Sequence, residues 1–194
     1  YTGATTVSAG RLIFAGNSPA ATGGTIVNSG GIAQFTSLAS INGTARDVTV
    51  NTGGTVLFDS GFGASDIPSA MLNRIAAGST GAIAADNYAG TNFDFDAAGL
   101  TGASLGTIGG LSYTGTLTPN ATGGYRLGGG GGTLTLPNAD ALVSGNALTI
   151  VGNTVILTAS NSVDGVTTIN SGTTLQLGTG VAGKSTAGLD GVTW

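Results

Sequence analysis

Tyr1-Thr2-Gly3-Ala4-Thr5-Thr6-Val7-Ser8-Ala9-Gly10-Arg11-Leu12-Ile13-Phe14-Ala15-Gly16 is matched, position for position, by Val163-Asp164-Gly165-Val166-Thr167-Thr168-Ile169-Asn170-Ser171-Gly172-Thr173-Thr174-Leu175-Gln176-Leu177-Gly178, with one residue inserted after Gly172. Each copy reads as strand, tight turn, strand. A Thr-Thr pair with a β-branched residue leads into a small-small-Gly turn, and alternating apolar residues run on to another Gly. A unit this short cannot bury an apolar face alone, so its recurrence implies like units stacked on one another.

Working outward, the same turn recurs at Asn28-Ser29-Gly30 and Asn51-Thr52-Gly53, so that Gly10, Gly30 and Gly53 are spaced by 20 and 23 residues. The following strands, Leu12-Ile13-Phe14, Ile32-Ala33-Gln34-Phe35 and Val56-Leu57-Phe58, all end in Phe. Rungs of about 20 residues with superposed strands predict an all-β fold, a parallel β-solenoid. Leu12, Ile32 and Val56 are expected to point inward, with Phe14 and Phe58 stacked on one face. A sandwich of hairpins is the competing architecture, but these turns are not the two-residue Asn-Gly type that hairpins favour.

One domain, 1–194, is expected: regular rungs over 1–58, irregular rungs over 59–124, and regular rungs with a C-terminal segment over 125–194. Within the middle part, Ser65 or Asp66 can cap a helix over about 66–77. Pro68 lies in its first turn, Ile67, Met71, Leu72 and Ile75 form its apolar face, and Gly78 ends it. Such a helix is expected against the outer wall or over an end. About nine rungs are expected in all, which at about 4.8 Å each gives a length on the order of 45 Å.

Composition points the same way. Only 7% of the 194 residues are charged, 40% are hydrophobic and 37 are Gly. A disordered chain this rich in Gly would be poorer in apolar residues. All nine acidic residues are Asp, and Lys184 is the single lysine, so charged helix formers are nearly missing. A formal charge of −4 with scattered Arg11, Arg46, Arg74, Arg126 and Lys184 weighs against nucleic acid. No run of about 18 apolar residues exists, which weighs against membrane insertion as a helix. Without Cys or His there are no disulfides, no thiolate metal sites and no imidazole base. The chain opens inside a repeat with neither an initiator Met nor a signal peptide, and reads as a mature or excised piece of something longer.

These pieces resemble the autotransporter-associated β-strand repeat, also called the passenger-associated transport repeat. That family's pattern, roughly Asn-x-Tyr-Thr-Gly-x-Thr-x-Ile/Val-x-x-Gly-x-Leu-x-Leu/Phe-Gly, is matched by Tyr1 to Gly16. Asn161 to Gly178 matches it with Val163-Asp164 in place of Tyr-Thr. Tyr125 to Pro137, with five glycines and Thr-Leu-Thr-Leu-Pro, is similar to a segment accompanying these repeats in very large bacterial surface proteins. The resemblance implies a right-handed parallel β-helix, exported and displayed outside a bacterial cell in a long repetitive protein. The chain shows no outer-membrane barrel pattern, so the export route stays open.

Residues for chemistry are sparse. Asp94 and Asp96, two apart on a strand and about 7 Å from each other, are the best acid pair for attack on a polysaccharide. Tyr88 and Arg74 are candidate neighbours, and Asp86 or Asn92 candidate oxygen ligands for Ca²⁺. Solvated aspartates are the plainer reading, and no cofactor or metal is expected. Gly128 to Gly132 lacks the Lys-Ser/Thr and the helix of a phosphate loop, and reads instead as a corner where backbone meets backbone. Scattered Thr pairs are strand residues rather than an ice-binding array. Asn42-Gly43-Thr44 and Asn120-Ala121-Thr122 fit the glycosylation sequon.

The expected function is accordingly not enzymatic. The chain reads as an extracellular or cell-surface structural module with copies of itself as partners, stacked head to tail as a homopolymer or as tandem repeats in one chain. The residues expected to carry the joint are Tyr1, Thr5, Val7, Leu12, Phe14, Thr168, Ile169, Leu175, Leu177 and Trp194. The alternatives are a β-helix that binds or cleaves surface polysaccharide, and an adhesin passenger domain.

Overall fold

A computed structural model describes residues 3–16, 23–41, 47–62 and 71–180. The first three rungs each place a strand on a leading face, turn a corner and continue into a longer strand. The pairs are β1 (Thr5–Val7) and β2 (Gly10–Phe14), β3 (Thr25–Val27) and β4 (Gly31–Phe35), and β5 (Val48–Val50) and β6 (Thr55–Phe58). Corresponding strands lie in parallel register, Val7 on Val27 on Val50 and Phe14 on Phe35 on Phe58.

The corners explain the glycines. Asn28 and Asn51 accept the amides of Gly31 and Gly54 at 2.9 and 2.8 Å, closing each turn. Gly30 and Gly53 have φ of 79° and 78°, which suits glycine. The next residue needs glycine for another reason. A Cβ on Gly31 or Gly54 would lie 2.3 or 2.6 Å from the carbonyl oxygen of Val7 or Val27 on the preceding rung. Asn51 Nδ2 donates to Asn28 Oδ1 at 2.8 Å, tying corner to corner along the axis.

The longer strands begin a spine that the chain rejoins in every later turn, through β7 (Ala82–Ala84), β9 (Ser104–Gly106), β12 (Tyr125–Leu136), β13 (Leu148–Leu157) and β14 (Thr167–Ile169). Short strands between them, β8 (Phe93–Asp94), β10 (Leu111–Ser112) and β11 (Leu117–Thr118), build the other walls. A last strand, β15 (Thr174–Leu177), stacks on the second half of β13. Every ladder among the described residues is parallel, which excludes the hairpin sandwich. The rung length varies from 19 residues (Leu148 to Thr167) to 27 (Thr55 to Ala82). The β-solenoid has about seven turns, not nine, because most rungs are longer than 20 residues. At about 4.8 Å per turn the stack is about 34 Å long.

One register column holds the interior together: Leu12, Ala33, Val56, Ile83, Leu105, Leu127, Ile150 and Ile169, one above another. From Ala33 to Ile150 all are 0% exposed. Ile32 is not among them. It pairs with Arg11 and Thr55 on the outward side of the strand, and Ala33 takes the interior place expected for it. Beside this column Phe14 stacks on Phe35 at 4.7 Å and Phe35 faces Phe58 at 6.0 Å, contacts worth about 0.5–1.5 kcal/mol each beyond burial.

The expected helix is largely absent from the described residues. Residues 63–70, with Ser65, Asp66, Ile67 and Pro68, lie outside them, and the remainder forms a single three-residue 3-10 turn, Leu72–Arg74. Met71, Leu72 and Ile75 are buried as its apolar face required, yet Ile75 bridges Val48 in parallel and Ala76 N donates to Val48 O at 2.8 Å. The segment thus forms part of the wall instead of lying on it.

The five-glycine run is a bend inside one strand. Tyr125–Leu127 of β12 stays on the spine and Thr133–Leu136 moves to a trailing face beside β10, β13 and β15. Gly128 to Gly131 all have positive φ, and a Cβ on Gly128 would sit 2.1 Å from Gly152 O. The bend also changes where the repeat sits. Thr5–Val7 and Gly10–Phe14 occupy the leading face and the spine, whereas Thr167–Ile169 and Thr174–Leu177 occupy the spine and the trailing face. The two copies are therefore one face out of phase.

Leu105→Ala, at 0% exposure in mid-column, is expected to cost about 2–5 kcal/mol, and Leu12→Ala on the first rung less than half as much. Urea denaturation of both variants checks this, and equal losses would contradict the column.

Candidate functional site: the terminal rungs

Those residues expected to carry a joint that are described fall on the first and last rungs. Leu12 is 37% exposed and its neighbour Ile13 52%, while Ile169, at the other end of the same column, is 50% exposed and Val166 76%. These are four of the six exposed large apolar side chains among the described residues, the others being Leu38 and Val143. Exposure is thus concentrated where the stack stops. Strand β2 pairs only with β4, and β14 and β15 pair only with β13, so each presents an unpaired edge among the described residues.

The remaining joint residues are less open. Val7 is buried, Thr5 and Phe14 are half-buried, and Phe14 is already stacked on Phe35. Thr168 is exposed, and Leu175 and Leu177 are half-buried against the core. The Thr167 hydroxyl is buried with no hydrogen-bond partner among the described residues. Tyr1 and Trp194 lie outside those residues.

The acidic residues considered for chemistry fasten loops. Phe93 and Phe95 turn inward and Asp94 and Asp96 outward, as alternation required. Asp94 Oδ1 accepts Ala97 N at 2.8 Å, and Asp96 Oδ1 accepts Ala121 N of the next rung at 2.9 Å. Asp86 receives the Thr107 hydroxyl and the amides of Ile108 and Gly109 at 2.6–3.0 Å. Asn92 Oδ1 accepts Thr116 N at 2.8 Å, and buried Tyr88 donates its hydroxyl to Asp59 O and Phe62 O. Each of these side chains thus spends part of its hydrogen-bonding capacity on holding the backbone. Asn120 is likewise occupied: it is 8% exposed and its Oδ1 accepts Thr122 N at 3.0 Å. Its sequon is therefore sealed in the folded chain. The sequon at Asn42 lies outside the described residues.

Sequence reading missed a carboxylate that is electrostatically strained, the one such case among the described residues. Asp47 follows a segment outside the described residues, and its Oδ1 is buried with no hydrogen-bond partner among those described. Burial raises its pKa above 3.8, partly offset by a backbone hydrogen bond and the Arg74 guanidinium. Burial also pushes the Tyr113 phenol up, and its hydroxyl donates to Thr91 O and Thr116 O at 2.8 and 2.9 Å.

A raised folded pKa means that ionised Asp47 weakens the fold at neutral pH. Protonation relieves this as pH falls through the raised value, and the relief is complete below 3.8, where the unfolded chain is protonated too. Asp47→Asn is expected to be more stable than wild type at neutral pH, with the gap closing over that window. Denaturant titrations of both proteins across pH measure it, and a gap that widens toward low pH would sink the assignment.

Compared with family models, curated proteins and solved structures, the chain has no match.

Proposed function

We propose that the chain is a structural module that joins end to end, with a second copy or a further rung of the same repeat as its partner. The observation that carries this is the interior column, sealed from Ala33 to Ile150 and open at Leu12 and Ile169. An aliphatic column that ends in solvent beside an unpaired strand edge gains both apolar burial and backbone hydrogen bonds when another rung continues it. A first rung meeting a last rung makes a heterologous contact, which propagates as a filament instead of closing as a dimer. The commitment of the candidate carboxylates to loop amides supports a structural role over a catalytic one. The resemblance to repeats of exported bacterial surface proteins supports placing the module outside the cell.

Two registers are open to the joint. In straight continuation β14 meets β2 and Ile169 covers Leu12, which leaves β15 and β1 unpaired across the joint. In repeat-on-repeat stacking β14 meets β1 and β15 meets β2. Ile169 then covers Val7, Leu175 covers Leu12, Leu177 covers Phe14 and Asn170 lies over Ser8, in the manner of Asn51 over Asn28. The second register pairs both strands and turns each copy by one face relative to the last, so it is the one proposed.

Sedimentation across a concentration series tests the joint, with wild type expected to grow in mass and Leu12→Lys or Ile169→Lys to remain monomeric. A wild type that stays monomeric at high concentration would overturn it. Cysteine pairs then read the register: Ile169→Cys with Val7→Cys is expected to cross-link between copies, and Ile169→Cys with Leu12→Cys is not.

A further inference from the structure

The outward side of the spine is not flat. Between the corner turns of the leading face and the Gly128 to Gly132 bend lies an open groove of about 360 Å³, running past several rungs. Its size is at the small end of the roughly 300–1,000 Å³ typical of small-molecule sites. Glycine clears the space: a Cβ on Gly30 or Gly131, both lining it, would meet no atom within 4 Å. Small residues alone make no site, but two side chains on the outward column point to a ligand.

The first is Thr55. It lines the groove and is only 3% exposed, so the little of it that is open faces the groove. Ser104, two rungs further along the same outward column, donates to Gly128 O at 2.8 Å. The second is Arg126. Its Nε donates to Gly102 O at 2.9 Å, and no carboxylate pairs with it among the described residues. That bond fixes the plane of the guanidinium while leaving its two terminal amino groups as a fork. Burial without an acidic partner lowers the Arg126 pKa from its usual value, the mark of a cation short of solvation.

The rest of the lining narrows the ligand. Thr52 and Thr80 join hydroxyls at 2.9 Å on one rim, and Asn153 accepts Gly131 N at 3.1 Å on the other. Ile32, Ala82 and Val151 supply a small apolar surface. One guanidinium suits a single carboxylate, where a polyphosphate would need several cations. Hydroxyl and amide groups around it suit a polyol. We propose that this groove binds a hydroxylated carboxylate, a sugar acid, with the carboxylate on Arg126, one ring hydroxyl on Thr55 and others on the Thr and Asn rims. The sugar acid is either free or a residue of an acidic glycan.

Calorimetric titration of the full chain with galacturonate, its methyl ester, galactose and tetragalacturonate tests this. Galacturonate is expected to bind at least about tenfold more tightly than the ester or galactose, since only it offers a charge to the fork. Arg126→Gln is expected to weaken it by about tenfold or more, Arg126→Lys by less, and Thr55→Val to a smaller extent, with circular dichroism and melting unchanged in the lysine variant. Tighter binding of the tetramer assigns a glycan residue, and equal binding the free acid. Equal affinity for galactose, undiminished binding by Arg126→Gln, or no binding of either acid at millimolar concentration would overturn the proposal. The end-to-end joint does not enter this test.

Discussion

Backbone hydrogen bonds along the axis hold successive rungs about 4.8 Å apart, and most of the structure follows from that fixed spacing. At this separation an interior residue meets its counterparts above and below before anything else. The interior is therefore a set of columns, each tolerating Ala33 beside Val56 because neighbours close on it from both sides. Where the chain must turn, the same spacing brings corner against corner. Gly31 and Gly54 stand where a Cβ would strike a carbonyl of the preceding rung, and Gly128 where it would strike one of the following rung. The abundance of glycine is thus a property of the corners, not a sign of looseness.

The polar residues serve the same spacing. A solenoid without charged residues to spare cannot fasten its loops by ion pairs, and such pairs at a surface contribute little anyway. Asp86, Asp94 and Asp96 instead end backbone amides of their own or the next rung, and Asn28 and Asn51 pair with each other. A carboxylate that accepts N–H groups forms some of the stronger hydrogen bonds open to a protein. Among the described residues these three aspartates serve that purpose.

Much of the fold was legible in the sequence because a rung is a local event: strand residues, a small-small-Gly turn and alternating apolar positions are read within about 20 residues. The Phe column and the corner glycines were visible for that reason. What was not legible depends on neighbours. Ile32 and Ala33 are both apolar, and only the register with Thr55 and Val56 shows which faces in. The apolar spacing of Met71, Leu72 and Ile75 fits a helix face, but Val48 of the rung before draws Ile75 into a parallel bridge. The joint residues were read from the likeness of the two ends, and Leu12 and Ile169 are exposed there. Gly128 to Gly132 was read as a tight corner, but the shift of β12 from spine to trailing face across it is a three-dimensional fact. Arg126 and Thr55 escaped notice because they are 71 residues apart in sequence and share only an outward column.

If copies join repeat on repeat as proposed, the phase shift of the repeat would make each copy a screw element as well as a spacer. In that register a repeat that enters on one face and leaves on the next advances around the axis with every copy. Any feature on a single side, such as the glycine-walled groove, would then be displayed along a helical path around a chain of modules instead of along one edge. A long array of this kind would face every direction from its axis while presenting only one kind of surface.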